Sequence, residues 1–296
     1  VAAAAGSIGK SLLVLFFRKE LLVFTALKDA PTETTGTLLG GRVKYRQPAD
    51  GYRSGIEPVL LAAAVPAKSG DAVLECGTGA GAAMLCLAAR VAGIRGHALE
   101  RDPSMLALAD ENFIINGFTN LTATLADVAT WQPDAPFDHV FANPPWHDAA
   151  GTASPLPGRR AAKQANADLL EIWCAAMARA LRPRGTLTLI LPAASLTSAI
   201  AALADAKYQE VTLLPLWPRA GTPAKLIILQ AIHSGRGPSR VLPGLTLHQD
   251  QGFTAEADSI LRHGAALPGL CVEKVSKAGA PPPGPARGGA GPGLIS

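Results

Sequence analysis

Residues Val73–Gly81 read VLECGTGAG. A short apolar strand, Ala72 to Cys76, runs into three glycines at alternate positions, and a helical apolar pattern from Ala82 to Val91 follows at once. Glycine belongs at such a handover because the backbone must turn tightly and meet a ligand with no Cβ in the way. The spacing is G-x-G-x-G, which departs from the G-x-G-x-x-G of dinucleotide sites. Glu75 stands at the carboxyl end of the strand, two residues before Gly77. A carboxylate there repels a pyrophosphate and suits a cationic ligand.

Downstream the alternation continues. Strands are expected at His97–Glu100, Leu121–Leu125, Asp138–Ala142, Thr186–Leu191, Glu210–Leu216 and Lys225–Ile232. Helices are expected at Ser104–Asn116, Asp168–Leu181 and Leu196–Ala206. Strands separated by helices of this length imply βαβ units and a mostly parallel sheet. Upstream, residues 36–66 read as a turn-rich segment and then a helical run from Ile56 to Val65. Beyond Ser234 the pattern weakens to a short strand or hairpin at Val241–His248 and a short helix at Ala255–Arg262.

Two more acids end strands in the same way. Glu100 closes the second strand, where a carboxylate accepts from both hydroxyls of a ribose. Asp127 follows the third strand in LADV, where it can accept from an adenine amino group. The sulfonium and amine of S-adenosylmethionine are an example of a cationic ligand that would suit Glu75. The fourth strand ends abruptly in Asn143-Pro144-Pro145-Trp146. The prolines fix the backbone, and Asn143 must be extended because proline follows it. This loop suits methyl transfer to an exocyclic amine, a poor nucleophile whose lone pair is delocalised into its ring. The Asn143 side-chain oxygen and the Pro144 carbonyl can accept its two N–H groups, and Trp146 can stack on the flat target. The gain is positioning and electrostatics rather than general-base catalysis. A base within a duplex would first have to be unstacked, so a loop is the natural target.

ECGTGAG, ALERD, LADV and NPPW, in this order, resemble the amino-methylating class I S-adenosylmethionine-dependent methyltransferases. With QPADGYRSGIEPVLL from Gln47, the chain resembles the bacterial family that methylates adenine N6 in valine tRNA beside the anticodon, over about residues 36–267. The resemblance implies a Rossmann-like α/β fold: a seven-stranded, mostly parallel sheet with a reversed last strand and helices on both faces. It implies that Gly77, Gly79 and Gly81 cradle the methionine part of the cofactor, with Glu75 beneath. It assigns Glu100 to the ribose, Asp127 to the adenine amine, and Asn143, Pro144, Pro145 and Trp146 to the target, with Asn143 counted among the cofactor-binding residues as well. Arg53 and Ser54 form a lid near the cofactor carboxylate in this scheme. Glu75 stands where aspartate is usual in the family, and Trp146 where tyrosine or phenylalanine is commoner. NPPW-type loops also serve glutamine amides of release factors and guanine N2 of ribosomal RNA, which are the alternative acceptors. A cofactor-binding module without catalysis is a further alternative. A nicotinamide-dependent oxidoreductase is disfavoured by Glu75 and the glycine spacing.

Composition sets the frame. The chain has 296 residues, 48% hydrophobic, enough for a core that excludes wholesale disorder. The net charge of +4 permits a tRNA partner without requiring one. Arg42, Lys44, Arg46 and Arg53, then Arg159, Arg160 and Lys163, are the cations placed to hold RNA. The four cysteines form no CxxC pair, so no metal site is expected and a reducing cytoplasm is the default compartment. The apolar run at Ser11–Phe17 is cut by Arg18-Lys19-Glu20, short of the roughly 18 residues that span a bilayer. Residues 1–35 are expected to be a leader outside the fold, 36–267 the catalytic domain, and 268–296 a flexible Pro/Gly-rich tail.

Overall fold

The computed structural model of the chain describes residues 33–49, 55–145 and 157–270. Arg53, Ser54, Trp146, most of the expected leader and all but the start of the expected tail lie outside the described residues, as do the side chains of Arg159, Arg160 and Lys163.

A hairpin comes first, β1 (Glu33–Leu38) against β2 (Val43–Pro48), followed by α1 (Glu57–Ala64). The alternating body is β3 (Ala72–Cys76), α2 (Ala82–Arg90), β4 (Arg95–Glu100), α3 (Pro103–Ile115), β5 (Leu121–Leu125) and β6 (Phe137–Ala142). It continues through α4 (Pro157–Ala180), β7 (Leu181–Pro192), α5 (Leu196–Asp205), β8 (Tyr208–Arg219) and β9 (Leu226–His233). Three short strands close the chain, β10 (Arg240–Val241), β11 (Leu245–Gln249) and β12 (Gly252–Phe253), with α6 (Ala255–His263) after them. The hairpin begins at Glu33, inside the segment expected to be leader, and Leu270, beyond the expected boundary at 267, is buried in the core.

The expected seven strands lie in the order β5-β4-β3-β6-β7-β9-β8. All neighbours are parallel except β9, which runs against both β7 and β8 and is the reversed last strand. Beyond β8 the described sheet goes further than seven. β10 and β11 pair parallel with β8, and β12 pairs with β11, making ten strands. An open β8 edge would leave a row of unpaired peptide groups. The added strands cover it and bury Leu245 and Leu247.

Strand alternation builds two cores. Val73, Phe141, Ile190 and Ile228 point to one face, under α1, α2, α3 and α6. Their neighbours Leu74, Val140, Leu189 and Leu229 point to the other, under α4 and α5. Almost every residue of α1 and α2 is buried, as their Ala- and Leu-rich sequences require. α3 is set by its ends. Asp102 accepts from the Ser104 and Met105 N–H groups, Pro103 opens the first turn, and Gly117 stops the helix.

The register aligns the strand ends. Cys76 pairs with Leu99 on one side and Ala142 on the other, and Glu100 pairs with Leu125. The chain moves outward from β3 to β5 and then returns to β6 on the opposite side of β3. That reversal opens a crevice at the carboxyl ends of β3 and β6, the place where open α/β sheets take ligands.

Candidate active site

A cleft of about 660 Å³ occupies the crevice, well within the size range of small-molecule sites. Glu75, Gly77, Gly79, Glu100, Asp127, Asn143, Pro144 and Pro145 all line it. Four separate strand ends thus deliver the expected residues to one place.

Gly77 takes a left-handed φ of 70°, and a Cβ on it would lie 2.8 Å from the Trp173 ring. Only glycine fits there. The Gly77 and Thr78 N–H groups both donate to the Leu99 carbonyl, at 2.9 and 3.0 Å, so the turn is fastened to β4. Gly81 differs from its expected role. It is absent from the cleft lining and caps α2, with Phe113 against it where a Cβ would clash at 2.8 Å. Its demand for glycine comes from helix packing and a φ of 86°.

Glu75 is buried, and it has a structural task that its sequence position does not reveal. Gly81 has no side chain with which to cap α2. The Glu75 Oε2 atom does so, accepting from the Met84 N–H (3.0 Å) and also from the Thr78 hydroxyl (2.7 Å). Burial raises the Glu75 carboxyl from 4.5 to about 8, against the lowering effect of those two hydrogen bonds. The fold therefore holds this proton more tightly than the unfolded chain does. Its contribution to stability is complete below about pH 4.5 and fades as the pH rises toward about 8. A cationic ligand beside the carboxyl would favour its ionised form. Cofactor binding at pH 7 should release a proton and tighten as the pH approaches 8, and Glu75→Gln should abolish both effects. Titration calorimetry in buffers of different ionisation enthalpy would show this, and proton release unchanged in the variant would contradict it.

Glu100 is held by three backbone donors. Its Oε2 accepts from the Gly79 N–H at 2.8 Å, and its Oε1 from the N–H groups of Arg101 (2.8 Å) and Asp102 (2.9 Å). The carboxylate is thereby fixed in orientation and keeps lone pairs for a ligand. Asp127 is exposed, and its Oδ1 accepts from the Ala129 N–H at 2.8 Å. Asn143 is half-buried and Pro144 buried. These features fit S-adenosylmethionine: glycine walls without Cβ atoms, a buried acid for a cation, and an anchored acid for hydroxyls. The thiols beside the cleft are inert, since burial pushes Cys86 up to about 12 and Cys76 higher. Among the described residues, no cluster of His, Cys, Asp or Glu could hold a metal ion, and no helix is long and apolar enough to cross a membrane.

Sequence reasoning missed several walls of the cleft. Trp173 and Leu169 come from α4, where an apolar helical stripe looks the same whether it faces a core or a ligand. Tyr45, Gln47 and Pro48 come from β2. The hairpin is held there by two asparagines one turn apart, Asn112 in the last turn of α3 and Asn116 capping its end. Asn112 accepts from the Arg46 N–H (2.8 Å) and donates to the Arg46 carbonyl (2.8 Å). Asn116 does the same for Lys44, at 2.9 and 2.8 Å. Four residues of helix rise about 6 Å and two residues of strand about 6.6 Å, so the amides match alternate peptide groups of β2. Asn112, fully buried, also donates to the Ala80 carbonyl in the glycine turn at 2.9 Å. One side chain therefore ties the β2 wall to the β3 turn. Asn112→Asp turns that donor into an acceptor facing two carbonyls. It should weaken cofactor binding roughly tenfold while the chain still unfolds cooperatively. Calorimetry beside a thermal melt checks this.

The cations sort unequally. Arg42 is spent on the fold, donating to the His263 and Ala89 carbonyls at the ends of α6 and α2. Arg46 pairs with Glu111 at 3.1 Å, and Lys44 is exposed.

Comparison with known proteins identifies the family. The model of the methyltransferase small domain matches residues 57–199. The tRNA1(Val) (adenine(37)-N6)-methyltransferase of Aeromonas hydrophila is 30% identical over 201 residues, 67% of this chain and 83% of the relative. Its counterpart in Aeromonas salmonicida is 29% identical over 212 residues, 71% of this chain and 88% of the relative. Among solved structures, a predicted O-methyltransferase, protein Atu636 from Agrobacterium tumefaciens, superimposes with a TM-score of 0.59 at 24% identity. That match covers 71% of this chain and 98% of the other, and bears on the fold alone. Taken with the cleft, these matches place the chain among the class I S-adenosylmethionine-dependent methyltransferases, to which it belongs, with its resemblance inside that group to the tRNA1(Val) (adenine(37)-N6)-methyltransferase family.

Proposed function

We propose that this methyltransferase modifies the exocyclic N6 amine of an adenine in tRNA, the adenine beside the anticodon of valine tRNA. The observation that carries the reading is the Asn143-Pro144-Pro145 loop in the same crevice as the glycine turn. The names of the Aeromonas relatives support the choice of acceptor. The cofactor, when bound, supplies an electrophilic methyl group on its sulfonium. The chain's own work is to hold the nucleophile. The Asn143 Oδ1 atom and the Pro144 carbonyl accept the two amine N–H groups, which fixes the nitrogen and raises its electron density. The methylated nitrogen then sheds one proton to water, so no buried base is needed. Trp146 stacks on the purine in this scheme.

Incubation with labelled S-adenosylmethionine and total tRNA, followed by mass mapping of the nucleoside, tests the proposal. N6-methyladenosine beside the anticodon is the expected product. Label on a release factor with none on RNA would overturn it.

A further inference from the structure

A second groove, about 530 Å³ and open to solvent, lies away from the cleft and is lined by Trp217, Ala220, Gly221, Thr222, Pro223 and Thr246. The sheet register shows where it stands. Ala142, just before the Asn143 loop, pairs with Leu189 on β7, and β7 continues to Pro192, which pairs with Leu226 on β9. The Ala193 N–H donates to the Lys225 carbonyl at 2.8 Å. Leu226 pairs with Leu216 on β8, so Lys225 and Trp217 are the next two residues of that ladder. Trp217 in turn pairs with Thr246 on β11. β8 runs parallel to β6, so all of these residues lie at the same edge of the sheet as the Asn143 loop. Lys225 is two strands from β6 and Trp217 three, about 10 and 14 Å across the sheet, and both stand three residues, about 10 Å of strand, beyond the level of Asn143.

The chemistry along this row is ordered. Leu216 and Leu226 pack toward the α1–α2 face, so alternation turns Trp217 and Lys225 together to the other face. The Trp217 ring is fixed by its Nε1–H, which donates to the Pro243 carbonyl at 3.1 Å. Lys225 is exposed. Arg219, two residues after Trp217 at the end of β8, donates to the Asp250 carbonyl at 2.9 Å, which leaves its charge in place. A braced aromatic in an open apolar groove, with cations on both sides of its loop, matches a nucleobase carrying a phosphate.

We propose that this groove is a second nucleotide subsite, which takes an unpaired base of the RNA substrate a few nucleotides from the target. Trp217 stacks the base, and Lys225 holds the phosphate between groove and reaction loop. The inference rests on RNA being the substrate, and the test separates the two. Methylation of total tRNA is measured for the parent chain, Trp217→Leu, Trp217→Phe and Lys225→Gln. Trp217→Leu should raise the KM for RNA roughly tenfold, with cofactor affinity and turnover at saturating RNA unchanged, and Trp217→Phe should stay near the parent. Lys225→Gln should flatten the dependence of log K on log salt by about 0.7. Photocrosslinking to tRNA carrying 4-thiouridine should label the peptide from Leu216 to Lys225. If the parent chain methylates tRNA but both the KM of Trp217→Leu and the salt slope of Lys225→Gln match the parent, the subsite is refuted alone. If the parent chain methylates a protein and no RNA, the substrate reading and the subsite fall together.

Discussion

Asn143→Ala should bind S-adenosylmethionine as tightly as the parent chain and lose methyl transfer by roughly a thousandfold or more. Asn143 follows the end of β6, whereas the glycines and acids assigned to the cofactor come from the ends of β3, β4 and β5. The substitution therefore leaves the glycine turn, Glu75 and Glu100 untouched. It removes one of two acceptors for the reacting amine, and with it the hold on the nitrogen's orientation. Pro144 still offers its carbonyl, but a single acceptor lets the amine rotate. Calorimetry for the cofactor and single-turnover label transfer separate the two properties. Normal turnover in this variant would falsify the role of the loop.

The opposite split is expected at Glu100. Glu100→Ala removes a ligand acceptor and also leaves three backbone N–H groups, those of Gly79, Arg101 and Asp102, without their partner. Cofactor affinity should fall about a hundredfold, while turnover at saturating cofactor persists. Glu100→Gln keeps the shape, but its amide presents N–H to one of those donors. It should lie between alanine and the parent. A loss of turnover with unchanged affinity would remove Glu100 from the cofactor side.

The parts of the fold that were legible in the sequence are those where local pattern and tertiary demand coincide. β3 and β5 run over the expected residues because short apolar runs bounded by turn residues leave little freedom. α4 begins at Pro157, well before the expected Asp168, since its first turns are polar and alanine-rich and carry no apolar period. The hairpin was hidden for a related reason. Of β2 only Val43 and Tyr45 are buried, and no sequence pattern announces that its outer peptide groups pair with side chains of α3. In the site, the three acids and the Asn-Pro-Pro loop could be read because chemistry restricts residue type at strand ends. Trp173 could not, and neither could the second task of Glu75, because both depend on what packs across the cleft.

The two asparagines tie the hairpin to the matched methyltransferase segment. The matched methyltransferase segment starts at residue 57, but the groups that satisfy Asn112 and Asn116 lie at Lys44 and Arg46. A fragment cut at the segment's start would strip both amides of their β2 partners. Asn116, half-exposed, would keep its bond to the Asn112 carbonyl, and buried Asn112 would keep only its bond to the Ala80 carbonyl, at a cost of about 1–3 kcal/mol for its unpaired oxygen. The cofactor cleft would lose the Tyr45 wall in the same cut. We therefore expect the autonomous unit of this methyltransferase to be longer than the matched segment and to include the hairpin.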